Sequence, residues 1–136
     1  VWIVGAEHLS GNAHVAANQL NENAKRFGGY FLIPELNHHL LEGLSFPTEG
    51  PGEFIFLLSE LYNSRVQKRF EVTKEILRKR GVNFYSYRCE EKTALLQAME
   101  TLVLGGYLSF YLAIIEGIDP TAIPTVNFLK AALKDS

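Results

Sequence analysis

The chain has 136 residues, of which 47% are hydrophobic and 21% are charged, and its formal net charge at pH 7 is −2. These values fit one globular domain with a hydrophobic core and exclude a disordered or fibrous chain. The near-neutral charge predicts that neither nucleic acid nor an anionic membrane is a partner. The single cysteine, Cys89, excludes an internal disulfide and favours a reducing compartment, so we expect a cytoplasmic protein.

Two apolar strands alternate with two helices in the first part of the chain. In order, the pattern predicts a strand over residues 1–5, a helix over 12–25, a strand over 30–33, a short helix over 36–44 and a loop over 45–52. Ser10 or Asn12 is the predicted cap of the first helix, and Gly28 and Gly29 follow its end. Because the first strand starts at Val1, without an initiator methionine or a signal peptide, we expect a part of a longer protein.

The second part of the chain continues the alternation. The pattern predicts a strand over residues 53–58, an amphipathic helix over 64–80, a strand over 82–87, a long helix over 93–116 and a last helix that opens at Asp119 and Pro120 and runs to Lys134. The most apolar segment, residues 102–118, is interrupted by two glycines and by Glu116. Since a membrane span needs about 20 apolar residues, we interpret this segment as a buried helix of a globular domain.

This alternation predicts an α/β fold with a parallel sheet and right-handed crossovers. In such sheets, ligands bind at the carboxyl ends of the strands. Glu22 lies near the end of the first predicted helix, and His38 follows the second predicted strand. We expect both side chains at one end of the sheet, where a carboxylate and an imidazole suit general acid–base catalysis. A structural interpretation, in which both groups are helix-end or capping residues, stays open.

Other motifs in the sequence are incomplete. Residues 5–11 lack the glycine spacing of a dinucleotide or phosphate loop. Glu35 and His38 are three positions apart, as in di-metal carboxylate proteins, but the second such pair is missing from the sequence, so we expect no metal site. Cys89 ends a predicted strand, which is typical of a buried, inert thiol. The basic residues of the helix over 64–80 alternate with glutamates and lack an aromatic platform, which favours a solvated helix face over nucleic-acid binding.

Five segments carry a family resemblance. They are QLNENAK, PELNHH, RFEVTKEILRKRG, LGGYLSFYLAIIEGIDPT and FLK, and in this order they resemble the bifunctional phosphoglucose/phosphomannose isomerases. These enzymes contain two SIS (sugar isomerase) domains, and the similarity runs from Val1 to about Leu133 and matches the second. The resemblance implies a three-layer α/β/α fold with a central, mostly parallel sheet. It also implies that residues 1–136 form a single C-terminal SIS domain, whose N-terminal partner domain is not in this chain.

The same resemblance implies a reaction and the residues that perform it. The family interconverts glucose 6-phosphate or mannose 6-phosphate with fructose 6-phosphate. Glu22 matches the general base that moves a proton between C2 and C1 through a cis-enediol, His38 matches the histidine that opens the sugar ring, and Lys130 matches a lysine near the substrate. The implied substrate-binding residues are Asn21, Asn23, Asn37 and Thr121. The resemblance implies no metal and no organic cofactor, and its implied partners are a sugar phosphate, the N-terminal SIS domain and a second subunit.

Some assignments stay open within this resemblance. His39 stands where the family often has asparagine, and Thr125 competes with Thr121 as the threonine that helps the site accept both C2 epimers. The preference between glucose and mannose is therefore open. Two other classes of function also remain: a non-catalytic SIS domain that binds sugar phosphate, and a dimerisation module that uses the aromatic residues of the long apolar helix. The joint presence of Glu22 and His38 favours the isomerase.

Overall fold

A parallel four-stranded sheet lies at the centre of residues 1–45 and 50–134, which the computed structural model describes. The elements alternate as predicted. They are β1 (Trp2–Gly5), α1 (Ser10–Glu22), β2 (Gly29–Leu32), α2 (Leu36–Gly43), β3 (Phe54–Leu58), α3 (Ser64–Lys79), β4 (Phe84–Arg88), α4 (Ala94–Ile115) and α5 (Pro124–Ala132). The predicted loop over residues 45–52 lies partly outside the described residues. The predicted α/β class with a parallel sheet is confirmed.

The strand order is β2-β1-β3-β4, and every neighbouring pair is parallel. The chain steps one way from β1 to β2 and the opposite way from β3 to β4, so right-handed crossovers carry α1 and α3 to opposite faces of the sheet. Ile3 and Val4 are both buried, and as consecutive residues of a strand their side chains point to opposite faces of the sheet. Both faces of the central strand are therefore covered, which gives three layers, with α1 and α4 packed together on one side.

Small residues on α1 and aromatic rings near α3 fill the two halves of the core. Gly5 lets α1 approach β1, because a Cβ there would lie 2.9 Å from the carbonyl oxygen of Leu9. On the other side Phe56 packs edge-on against Phe70 of α3 and against Phe84 of β4. Helix α1 is thus held close to the sheet.

The ends of α1 and α5 differ from the predicted ends. Helix α1 begins at Ser10 after a short 3-10 turn, with Leu9 at the N-cap and no side-chain cap. It ends at Glu22 rather than Lys25, whose backbone has a positive φ of 54°. Helix α5 begins at Pro124 rather than Asp119, because the Asp119 carboxylate accepts hydrogen bonds from the backbone and hydroxyl of Thr121 and closes a turn there. Proline then occupies the first helical turn, where its missing N–H costs nothing.

The long helix α4 is not the buried helix that the sequence predicts. Its buried side is a stripe of small and polar residues at every fourth position: Gln97, Thr101, Gly105, Ser109 and Ala113. Its opposite side is apolar and exposed, as at Leu95, Val103, Tyr107, Tyr111 and Ile115. By length and composition alone α4 suffices to cross a membrane, and 22% of its most apolar window is buried. One such helix is weak evidence for a membrane span. An apolar outer face also suits contact with another protein surface.

Candidate active site

Glu22 and His38 lie at opposite edges of the sheet, and the expectation that they share one end is wrong. Helix α1 runs back from the carboxyl end of β1. Glu22 therefore lies at the side of the sheet where the strands have their amino ends (the amino edge, opposite the carboxyl edge), and β2 begins there beside Trp2. His38 follows the carboxyl end of β2, in the first turn of α2. The strand between them alone spans roughly 10 Å, at about 3.3 Å per residue. A helix and a strand together carry the chain across the sheet and back, so these two residues cannot meet within one copy.

Glu22 lines a large cleft with a volume of about 760 Å³. One wall is the end of α1, which contributes Asn21, Glu22 and Lys25. The other wall is formed by residues 122–126, which comprise the end of the connection and the first turn of α5 and include Thr125. Glu22 is exposed to solvent at this cleft. The structure brings Glu22, Asn21 and Thr125 together at this cleft.

Asn21 uses its whole amide to tie the end of α1 to the start of β2. Its Nδ2 donates to the carbonyl oxygens of Ala17, at 2.8 Å, and Gly28, at 2.9 Å. Its Oδ1 accepts from the backbone N–H of Gly28 at 3.2 Å. Both donors and the acceptor are therefore taken by protein groups. These three hydrogen bonds, the Asn21 bracket, fix the direction of the turn that carries Glu22.

Asn23 ties the same turn to the neighbouring helix. Its Nδ2 donates to the hydroxyl of Ser109 on α4 at 3.0 Å, and Ser109 is fully buried. The Ser109 hydroxyl donates in turn to the carbonyl of Gly106 at 3.0 Å. The polar stripe of α4 thus supports the end of α1, and Glu22 stands between two asparagines that are both held by other parts of the protein.

His38 lines a separate, smaller pocket of about 370 Å³, with Pro34, Glu35, Asn37 and Arg69. Asn37 joins α2 to α3, because its Nδ2 donates to Thr73 Oγ1 at 2.7 Å and its Oδ1 accepts from Arg69 at 3.3 Å. His38 and the neighbouring His39 are both exposed. Asn37 therefore fixes the turn that presents His38, much as Asn21 fixes the turn that presents Glu22.

The remaining predicted residues are in the C-terminal part. Thr121 is exposed, and both its backbone N–H and its hydroxyl donate to Asp119 Oδ1, at 2.8 and 2.7 Å. Lys130 lies on α5, whose residues are exposed, and it is not part of the lining of the Glu22 cleft. The structure therefore brings neither His38 nor Lys130 to Glu22 within one copy.

The carboxyl edge between β1 and β3, where ligands bind in many parallel sheets, is filled by the protein's own polar side chains. Gln97 is buried there, and its Oε1 accepts from the Ser59 hydroxyl at 2.6 Å and lies 2.9 Å from His8 Nε2. Its Nε2 donates to the carbonyl of Glu91 at 2.7 Å. The polar groups of Gln97, Ser59 and His8 are therefore engaged with one another.

Cys89 is buried, as predicted, and burial raises the pKa of its thiol to about 11. A thiol with that pKa stays neutral near pH 7 and is a poor nucleophile. Within the described parts of the chain, no three His, Cys, Asp or Glu side chains come close enough together to hold a metal ion.

The sequence did not indicate that Lys25 lines this cleft, and of the wall at residues 122–126 it indicated only Thr125. Lys25 belongs to the NENAK segment, but the pattern assigned it to the end of a helix, where a basic residue needs no further explanation. The wall at 122–126 was assigned to a helix that begins later than expected. The adjacent Gly28 and Gly29 were the available signal of a turn close to Lys25.

A family model for the bacterial phospho-glucose isomerase C-terminal SIS domain matches residues 1–133. The chain belongs to this family. Its relatives include the bifunctional phosphoglucose/phosphomannose isomerases of Aquifex aeolicus, 32% identical over 127 residues, and of Pyrobaculum aerophilum, 30% identical over 132 residues. The alignments cover 90% and 97% of this chain and 39% of each relative. The chain therefore spans about 40% of the length of the curated relatives it matches.

A solved structure shares the fold of this SIS domain. It is described as a glucose-6-phosphate isomerase like protein from Thermus thermophilus, with a TM-score of 0.70 and 18% sequence identity. The match covers 92% of this chain and 42% of that chain. At this identity the likeness supports the fold alone, and it agrees with the α/β architecture that the sequence predicts.

Proposed function

We propose that this SIS domain is the C-terminal part of an aldose–ketose isomerase that converts glucose 6-phosphate or mannose 6-phosphate to fructose 6-phosphate. The observation that carries the proposal is Glu22, an exposed carboxylate on a turn braced by two asparagines in a large cleft. The names of its relatives, bifunctional phosphoglucose/phosphomannose isomerases, support the substrate class. The proposal also has the protein working in the cytoplasm, without a metal or an organic cofactor.

Glu22 acts as the general base in this proposal. Its carboxylate removes the proton from C2 of the open-chain aldose, and the electron pair forms the cis-enediolate. A proton passes from the C2 hydroxyl to O1 through the enediol, and the Glu22 carboxyl returns its proton to C1 to give the ketose. A proton next to a carbonyl is weakly acidic, so catalysis depends on a base held in one position. The bonds of Asn21 to Gly28 and of Asn23 to Ser109 supply that rigidity. We therefore propose that the predicted substrate-binding residues Asn21, Asn23 and Asn37 position the site through protein contacts.

His38 opens the sugar ring in this proposal, and a second copy of the chain supplies it. Glu22 and His38 lie at opposite edges of one sheet, so one copy cannot bring both to one sugar. A two-fold symmetric dimer makes two such shared sites, because each copy gives its Glu22 to one site and its His38 to the other. The exposure of both side chains leaves them available for this arrangement.

The rest of the site needs a further domain. The relatives are more than twice as long as this chain, and we propose that residues 1–136 are one SIS domain of a two-domain protein whose N-terminal SIS domain binds the phosphate. The exposed apolar side of α4 is the surface that this domain or the second copy covers. When that side of α4 is covered in the complete protein, Lys130 on α5 lies near the substrate and stabilises the charge of the enediolate. Thr121 or Thr125 contacts the sugar. The chain by itself is expected to have no appreciable isomerase activity.

A deuterium exchange assay tests the role of Glu22. The complete protein that carries this chain is prepared with Glu22→Gln, which keeps the shape of the side chain and removes the base. In heavy water the wild-type protein incorporates deuterium into fructose 6-phosphate, and the variant is expected to lose this by roughly 10²–10⁴-fold. Incorporation near the wild-type rate in the folded variant puts the base elsewhere and contradicts the proposal.

A second candidate function is a non-catalytic SIS domain that binds sugar phosphate or mediates dimerisation. The observation that favours it is the apolar outer face of α4, which suits an interface whether or not the protein is an enzyme. The same exchange assay separates the two functions. A binding or dimerisation domain incorporates no deuterium even as the wild-type protein, whereas the isomerase does.

A further inference from the structure

Lys25 holds an unusual backbone conformation next to the proposed base. Its φ is +54°, a left-handed value that residues with a Cβ adopt rarely. Its ammonium group donates to the carbonyl oxygen of Glu22 and, at 3.3 Å, to the carbonyl oxygen of Pro120. Lys25 and Glu22 line the same cleft. A strained backbone beside a functional group persists only when the surrounding contacts impose it.

The Pro120 contact is part of the attachment of the C-terminal segment to the domain. Arg26 forms an ion pair with Glu116 at the end of α4, next to the same connection. Hydrogen bonds from Thr121, together with the nearby charge of Lys25, hold the pKa of Asp119 below its ordinary value. Helix α5 itself buries no residue. The position of the wall at residues 122–126 against α1 therefore depends on the contacts that Lys25 and Arg26 make with residues 116–120.

Resting on the proposed role of Glu22, we propose that Lys25 is a positioning residue for the isomerase site. One ammonium group joins the carbonyl of the last residue of α1 to the carbonyl of Pro120, so it sets the base and the opposite wall of the cleft relative to each other. It acts through these two carbonyl groups and does not touch the substrate. Loss of the side chain leaves the helix intact and lets the wall move away from the base.

A simpler role for Lys25 is that of a helix terminator, because helices often end in a left-handed residue. Glycine is the residue that best fits such a position. The substitution Lys25→Gly therefore relieves the backbone and removes only the ammonium bridge, while Lys25→Arg keeps a cation of similar reach. If termination were the only role, Lys25→Gly would leave catalysis unchanged and the protein at least as stable.

The experiment measures stability, kinetics and backbone exchange on the complete protein for Lys25→Gly and Lys25→Arg. Lys25→Met is measured in addition, and Lys79→Met is its matched control for loss of a charge, because the Lys79 side chain is exposed and pairs with Glu75. We expect Lys25→Gly to keep its Tm, to lower kcat by about 10–100-fold with little change in KM, and to speed exchange of the hydrogen-bonded amides of Thr121 and Asn127, which flank the wall. Lys25→Arg should recover most of kcat, and Lys79→Met should match the wild-type protein.

Two results overturn the inference. One is unchanged exchange of the Thr121 and Asn127 amides in Lys25→Gly, which shows that the bridge does not hold the wall, whatever the activity. The other is a wild-type kcat in Lys25→Gly when Glu22→Gln is inactive in the same assay. The Glu22→Gln arm reports on the proposed function separately, because retained activity in that variant removes Glu22 as the base while the exchange measurement still reports on the bridge itself.

Discussion

Asparagines shape the site at the scale of single residues. Asn21, Asn23 and Asn37 flank the two proposed catalytic groups, and the family resemblance implied that all three bind the substrate. Their partners were not predictable, because Asn23 bonds a serine 86 positions away and Asn37 a threonine 36 positions away. A family resemblance indicates which residues lie near a site, whereas the partners of an amide depend on how helices pack. For this reason we propose that the three asparagines, which were predicted to contact the substrate, instead hold the turns that carry Glu22 and His38.

The bracket made by Asn21 leads to a prediction about stability. Asn21→Ala removes three hydrogen bonds and leaves the backbone N–H of Gly28 without its partner, so we expect the free energy of unfolding to fall by about 1–3 kcal/mol. The measurement is urea unfolding of the variant beside Asn18→Ala, which lines the same cleft and is exposed. Asn18→Ala should change the stability by less than about 0.5 kcal/mol, and equal losses in both variants would rule out the bracket.

At the scale of elements, the sequence predicted each strand and helix but not how α4 faces its neighbours. Hydrophobic periodicity indicates a core-facing side when one side of a helix is apolar. In α4 apolar residues dominate the sequence, and the buried side is the minority stripe of small and polar residues. The same limit applies to Glu22 and His38: the alternation was right, but the direction of α1 relative to β2 sent them to opposite edges.

The attachment of α4 to β4 predicts a dependence of stability on acid pH. Glu100 accepts hydrogen bonds from Tyr87 Oη, at 2.8 Å, and from the backbone of Glu90 and Glu91. Burial opposes the charged carboxylate, but these hydrogen bonds prevail and hold the pKa of Glu100 below its ordinary 4.5. A lowered pKa stabilises the fold above the unfolded value, and that contribution is lost as the pH falls through the folded value.

We therefore expect the stability to fall below about pH 4.5 and Glu100→Gln to make this decline shallower. Thermal unfolding measured from pH 3 to pH 7 checks it, with the exposed neighbour Glu90→Gln as the control. A decline in Glu100→Gln that is as steep as in the wild-type protein would show that Glu100 does not carry the effect.

At the scale of the whole molecule, the proposed function requires more than this domain in two respects. Its large cleft is open and its longest helix turns an apolar side outward. The curated relatives are more than twice as long, and a two-fold assembly is the simplest way to join Glu22 with His38. Composition and motifs predicted the family and the fold, but the sequence of one chain does not record which residues meet across copies.

The most direct test of this account is complementation between two inactive variants of the complete protein. Glu22→Gln and His38→Ala are purified separately, mixed, unfolded together and refolded. In a mixed dimer one shared site keeps an intact Glu22 from one copy and an intact His38 from the other, so random pairing should restore about a quarter of the wild-type activity. Each variant taken alone through the same procedure should stay inactive. A mixture that stays as inactive as its parents would contradict the claim that Glu22 and His38 of different copies serve one site.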